Sequence, residues 1–214
     1  MSADPPEAPS GPSAPARSLI IACGALVREI HAVLGQARRA EVDIRALPAT
    51  LHNRPEAIAP AVAKLLDKLA PRYARVFVAY ADCGIGGALD RVIREYGAER
   101  LPGAHCYAFF SGVEAFSARA EADLTSFYLT DFLARQFEAL IVRGLALDRH
   151  PELRDVYFAH YERLVYLSQE PTTALLARAE AAARFLGLAF EHRPVGYGDL
   201  ARALDARFSA SVPP

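Results

Sequence analysis

No part of the 214-residue chain carries an excess of one charge, because 24 Lys and Arg stand interspersed against 25 Asp and Glu, for a formal net charge of -1. Without a basic stripe the footprint of a nucleic-acid binder is missing, so no nucleic acid is expected as a partner. There is also no apolar run near the roughly 20 residues that cross a bilayer. The longest, such as residues 18–26, have the length of buried strands, and no membrane partner is expected. Cysteine is scarce. Three is an odd number, with no C-x-x-C pair, which argues against a secreted disulfide framework. The opening Met1-Ser2-Ala3-Asp4-Pro5-Pro6 lacks the charged start and apolar centre of a secretory signal. Together these absences point to a reduced, cytoplasmic setting. Gly-x-Ser-x-Gly, His-Glu-x-x-His and a P-loop lysine are missing too, leaving serine hydrolase and zinc protease chemistry without support.

What is present is an alternation of strand and helix patterns. Residues 1–17 are rich in Pro, Ser and Ala, which predicts a disordered N-terminal tail. The run Leu19-Ile20-Ile21-Ala22 then reads as a strand buried on both faces, halted at Cys23-Gly24. Helical spacing follows over residues 25–39, strand alternation over 42–47, and helical spacing again over 55–69. Arg75 to Tyr80 is the clearest strand; it runs into the glycine-rich turn 81–87 and a helix over 88–96. A weaker segment near Arg100 leads to His105-Cys106-Tyr107 and a further helix. Residues 127–129 read as a strand or as the start of a helix over 131–142. Helices are expected over 151–161, 173–186 and 199–208, with strands over 164–167 and 188–193. The alternation implies an α/β fold: residues 18–214 as a single three-layer domain, with a largely parallel sheet and helices on both faces.

Ligands of open α/β sheets bind beyond the carboxyl ends of the strands, and all three cysteines fall there. Cys23 follows the first strand, Cys83 follows the clearest one, and Cys106 follows the weaker one. Three thiolates suit zinc with one open position, or an iron–sulfur cluster with one iron left for another ligand, and His105 is placed to complete either. The alternatives are buried cysteines acting as small hydrophobes, or one cysteine acting as a nucleophile without metal. Gly84 and Gly86, leading from strand into helix, are candidates for cradling an anion, though a tight turn explains them as well. His52 and Arg54 are candidates for holding a carboxylate or phosphate, with Asn53 read as a helix cap. Tyr166 and Gln169, at a strand end on the same edge, are candidate substrate contacts. Capping explains Thr130-Asp131 at least as well as catalysis does.

Several motifs recur together. Ala22-Cys23-Gly24-Ala25-Leu26, Leu51-His52-Asn53-Arg54-Pro55, Ala79-Tyr80-Ala81-Asp82-Cys83-Gly84, His105-Cys106-Tyr107, residues 127–133 and 144–153, and Leu164-Val165-Tyr166-Leu167 resemble the domain of unknown function 1638 family. The resemblance runs from about Ser18 to the C-terminus; Leu124-Thr125-Ser126 departs from it where a Gly-Thr is usual. It implies no reaction. It does imply an association with components of corrinoid-dependent methyltransferases, hence with one-carbon metabolism. The leading expectation is a metalloprotein holding zinc or an iron–sulfur cluster. The other is a non-catalytic accessory protein that binds a small molecule or a corrinoid protein, with structural cysteines. Whether the protein is an enzyme stays open.

Overall fold

A computed structural model describes residues 17–39 and 41–208, so the expected disordered tail lies outside the described residues except for Arg17. Among the described residues, seven strands form two parallel sheets. In the first, β1 (Ser18–Cys23), β2 (Val42–Leu47), β3 (Arg75–Ala79) and the two-residue β4 (Glu99–Arg100) lie in the order β2-β1-β3-β4. In the second, β5 (Ser126–Thr130), β6 (Arg163–Ser168) and β7 (Ala189–Pro194) lie in sequence order. The helices among the described residues are α1 (Val27–Arg39), α2 (Ile58–Leu69), α3 (Ala88–Glu95), α4 (Cys106–Ser111), α5 (Val113–Ala118), α6 (Asp131–Phe137), α7 (Leu153–Phe158), α8 (Thr173–Leu186) and α9 (Gly198–Phe208). The α/β class, the parallel pairing and the helices on both faces follow the alternation in the sequence. The division of the strands between two sheets adds to it. Among the described residues, no helix is long and apolar enough to cross a membrane.

Alternation along β1 builds the first sheet's two cores, because successive side chains leave opposite faces. Ile20 and Ala22 pack with Phe77 of β3 and with Leu26, Ile30, Leu200 and Leu204, the last three from α1 and α9. Leu19 and Ile21 pack with Val78 and, from α2 and α3, Ile58, Val62, Leu66, Leu89 and Ile93. Leu19, Ile20, Ile21 and Ala22 are all 0% exposed, so a polar residue has no face to occupy in this run. In the second sheet Leu129, Leu164 and Tyr166 pack against Ala134 of α6 and against Leu175, Ala179 and Ala183 of α8. Tyr128 meets Tyr107 and Phe116, at ring centroid distances of 5.5 and 5.2 Å, which seats α4 and α5 against this sheet.

Several boundaries differ from the sequence pattern for local reasons. Residues 126–130 are a strand, and Thr130 Oγ1 accepts from the Leu133 amide at 3.4 Å to start α6 at once. The helix expected over 131–142 is α-helical only to Phe137 and continues as a π turn, Glu138–Val142. At its end a Cβ on Gly144 would lie 2.1 Å from the Leu140 carbonyl oxygen, so only glycine fits. The helix expected over 151–161 is confined to α7, and α5 was not visible in the spacing.

Two buried carboxylates tie the second sheet together. Asp131, 1% exposed, accepts from Tyr166 Oη at 2.6 Å, from the Gln169 amide at 3.2 Å and from the Glu170 amide at 2.9 Å. Gln169 returns the bond, its Oε1 accepting from the Asp131 amide at 3.0 Å. Asp123, 5% exposed, receives a bidentate Arg193 guanidinium at 2.5 and 2.8 Å and the Tyr128 hydroxyl at 3.0 Å. This fork fixes the entry to β5 against β7. The Arg193 bond, assisted by Tyr128 and Arg119, holds the Asp123 carboxyl well below the ordinary carboxylate range. A depressed folded-state pKa contributes stability above the unfolded value of about 4, and the contribution is lost as pH falls below it. Asp123→Asn should therefore cost about 2 kcal/mol or more at neutral pH and flatten the decline of stability under acid. Urea unfolding across pH 3–7 measures both.

Candidate functional site

The order β2-β1-β3 reverses direction at β1: the chain leaves β1 for β2 on one side, then returns to place β3 on the other. Loops leaving β1 and β3 diverge to opposite faces there, and a crevice opens beyond their carboxyl ends. A cavity of about 230 Å³ occupies that crevice and extends to the second sheet. From the first sheet come Cys23 at the end of β1, Tyr80, Ala81 and Cys83 after β3, and Leu51, His52 and Asn53 from the turn after β2. Cys106 and Tyr107 enter from the first turn of α4. Phe127, Thr130, Phe132 and Leu133, with Leu140 and Ile141 of the π turn, form the opposite wall. Among the described residues, Arg, Lys, Asp and Glu are absent from the lining.

The loop carrying Cys83 is held from several sides. The amides of Asp82 and Cys83 donate to the carbonyls of Gly103 and Ala104 at 3.0 and 2.8 Å. Asp82 turns its own carboxylate into the loop, where Oδ1 accepts from the Gly86 amide at 3.0 Å and Oδ2 from the Gly87 amide at 2.8 Å. Within this frame Cys83 adopts φ 51°, a left-handed conformation that costs a non-glycine residue on the order of 1–3 kcal/mol. Strain of this kind persists where the surroundings over-determine it.

The electrostatics single out one thiol. The Cys106 thiol donates toward the Cys83 sulfur, and the His52 imidazole donates toward it as well. These donors hold Cys83 below the ordinary thiol value, to about 5, against the opposing effect of burial. The same bonds act in reverse on the donors. Cys106 is pushed well above the ordinary thiol range by its bond to Cys83 and by burial, and His52 is raised by its bond to Cys83. Burial, reinforced by the charge of Cys83, raises Cys23. Tyr80 and Tyr107 are raised by burial first and by nearby cysteine charge second, so both stay protonated. At neutral pH the arrangement is one thiolate, with the His52 imidazole donating toward it, and two neutral thiols.

The residues expected from the sequence divide cleanly. Cys23, Cys83, Cys106 and His52 come together on the cavity. Asn53 lines it too; the helix-cap reading of Asn53 is corrected, because the helical turns that follow have no side-chain cap. His105 is exposed and lies outside the lining, although its charge favours the Cys83 thiolate. Arg54 points to solvent beside Glu56, at 3.6 Å. Gly84 and Gly86 are exposed, and the Gly86 amide is engaged by Asp82, so an external anion would have to displace a carboxylate of the same loop. Tyr166 and Gln169 are buried in the Asp131 network rather than facing the cavity. Among the described residues, no group of three or more His, Cys, Asp or Glu side chains is arranged so as to hold a metal ion. Tyr80, Tyr107 and the wall from Phe132 to Leu145 were not foreseen; apolar residues in a helix give no sign of which cavity they face.

A family model described as protein of unknown function (DUF1638) matches residues 46–204. The chain belongs to that family. The matched span holds His52, Cys83 and Cys106 and begins after Cys23. No curated protein and no solved structure matches the chain. Membership in DUF1638 thus fixes kinship without a reaction, and the site must be read from its own chemistry.

A thiolate at Cys83 sets a pH dependence. An ordinary thiol of pKa about 8.5 is only about 1% ionised at pH 6.5, whereas Cys83 should already be alkylated by iodoacetamide at nearly its full rate there. His52→Ala removes a donor to the thiolate, so the rate profile should move to higher pH. Peptide mass spectrometry of each cysteine across pH 5–9 measures this, and a Cys83 profile rising only near pH 8.5 would contradict the assignment.

Proposed function

We propose that this protein is a thiol-dependent small-molecule protein whose working group is the Cys83 thiolate. Cys106 and His52 stabilise the anion, and the apolar cavity receives a small ligand. The observation that carries this reading is the convergence of Cys23, Cys83, Cys106 and His52 on one cavity at the strand-order reversal. Support comes from the strained, over-determined backbone at Cys83 and from the two side-chain donors to its sulfur. A soft nucleophile in an apolar cavity reacts with soft, uncharged electrophiles. Such a site requires a reducing compartment, and the three unpaired cysteines fit the cytoplasm. The link to corrinoid-dependent one-carbon metabolism rests on the family resemblance; the site supports it only in that a thiolate is a competent acceptor of a methyl group.

The second reading is zinc or an iron–sulfur cluster on the three cysteines. In its favour, all three sulfurs face one cavity, and thiolates are the right donors for either group. Against it, the described residues form no group of three donors ready to hold a metal. A third reading, ligand binding with purely structural cysteines, leaves the ionised Cys83 unexplained.

One set of measurements separates the three. Cys106→Ala should raise the Cys83 pKa by roughly one to two units, since a hydrogen bond to a charged acceptor is worth about 1.5–3 kcal/mol. Alkylation of Cys83 at pH 5 should then slow roughly five- to fiftyfold, while Cys23→Ala should have a much smaller effect. Near-stoichiometric zinc or iron in anaerobically purified protein, lost in Cys83→Ala, would favour the metal. Equal modification of all three cysteines at neutral pH would favour structural roles.

A further inference from the structure

Two backbone hydrogen bonds lay the Cys83 loop beside the segment that leads into α4. The Asp82 amide donates to the Gly103 carbonyl at 3.0 Å, and the Cys83 amide to the Ala104 carbonyl at 2.8 Å. Cys106 follows as the first residue of α4, so main-chain pairing brings it to Cys83. Both thiols line the cavity, and the Cys106 thiol donates to the Cys83 sulfur, which puts the two sulfurs in contact. Cys23 stands apart from this pair. It lines the same cavity from the end of β1, but its polar neighbours are the Ala25 amide and the Tyr80 hydroxyl, and it acts on Cys83 through charge.

A reactive sulfur in contact with a second thiol is the pattern of a redox-sensitive pair, in which the first is oxidised and the second resolves it. Neither thiol is sealed off, since Cys83 and Cys106 are both half-buried and unpaired. A disulfide requires the sulfurs to close to about 2.05 Å, and the chain has room to follow. Gly84, next to Cys83, is exposed, and a Cβ placed on it would meet nothing within 4 Å. On the other side, no side chain caps the start of α4 to hold Cys106 back.

We infer that Cys83 and Cys106 form a redox pair: a small hydroperoxide oxidises Cys83, Cys106 closes a reversible disulfide on it, and Cys23 stays reduced. The inference deepens the thiol reading and rests on it, because it gives the reactive sulfur a way to be switched off and restored. In the first step the Cys83 thiolate attacks one oxygen of the hydroperoxide. The O–O bond breaks, the departing alkoxide or hydroxide takes a proton from water, and Cys83 becomes a sulfenic acid. The Cys106 sulfur then attacks the Cys83 sulfur. The S–O bond breaks as the S–S bond forms, and the hydroxyl leaves with the Cys106 proton as water. A dithiol reductant reverses the bond by two exchanges, freeing both cysteines and becoming a disulfide itself.

The test uses the full chain, reduced with dithiothreitol, freed of it and exposed to hydrogen peroxide at neutral pH. Non-reducing peptide mass spectrometry should find the Cys83 and Cys106 peptides joined and Cys23 still open to N-ethylmaleimide. Dithiothreitol should then restore all three thiols. Cys106→Ser keeps a hydroxyl donor beside Cys83 but removes the resolving sulfur. In this variant dimedone should label Cys83 sulfenic acid at least about tenfold more than in the wild type. The wild-type linkage decides the matter even if the variant folds poorly, which circular dichroism checks. Joining of Cys23 to either partner, oxidation of Cys83 without a disulfide, or equal dimedone labelling in folded variant and wild type overturns the inference and leaves the thiol reading standing. If Cys83 is oxidised no faster than Cys23, the thiol reading fails and the inference fails with it.

Discussion

Strand β1 pairs with β2 along one edge and with β3 along the other, in register from Ser18 to Cys23 and from Ser18 to Ala22. It is covered on both faces by the two cores, which together with the two pairings fixes its position. Because it is central and is left in opposite directions by the chain, its carboxyl end is where the first sheet opens. Cys23 ends this strand, Cys83 follows its neighbour, and His52 follows the other neighbour, so three separated stretches reach one cavity through two strand pairings. Loosening β1 would disperse the site without touching any of its reactive groups.

The second sheet supplies the far wall of the same cavity. Its contribution depends on α6 starting directly at the end of β5, where the Thr130 hydroxyl and the buried Asp131 carboxylate satisfy backbone amides. That abrupt start places Phe132 and Leu133 on the cavity wall. The π turn then brings Leu140 and Ile141 onto the same surface, and Gly144 permits the close return of the chain. π turns are rare and recur at functional sites, in keeping with its place on this wall.

Much of the fold was legible because both cores of the first sheet are written as local periodicities. Leu19 to Ala22 could only be a doubly buried strand, and the spacing of Ile58, Val62 and Leu66 only an amphipathic helix. The convergence of Cys23 and Cys83 was also legible, since strand ends of a parallel sheet share an edge. Pairing between strands was not. Nothing local distinguishes a strand of the first sheet from one of the second, so the division into two sheets stayed hidden. For the same reason Tyr166 and Gln169, at a strand end like the cysteines, were read as facing the ligand when they serve the Asp131 network. His105 and Cys106 are adjacent in sequence, but α4 begins between them and turns only the cysteine inward. The ionisation of Cys83 depends on contacts from residues 52 and 106, which no window of sequence contains.

The carboxylate of Asp82 has a further consequence. By filling the amides of Gly86 and Gly87 it converts a loop with the shape of a phosphate cradle into one that carries its own counter-anion. A phosphate from outside would have to displace a carboxylate tethered to the same loop, which competes at high effective concentration. The glycines of this turn thus serve the closure of their own loop rather than an anion site.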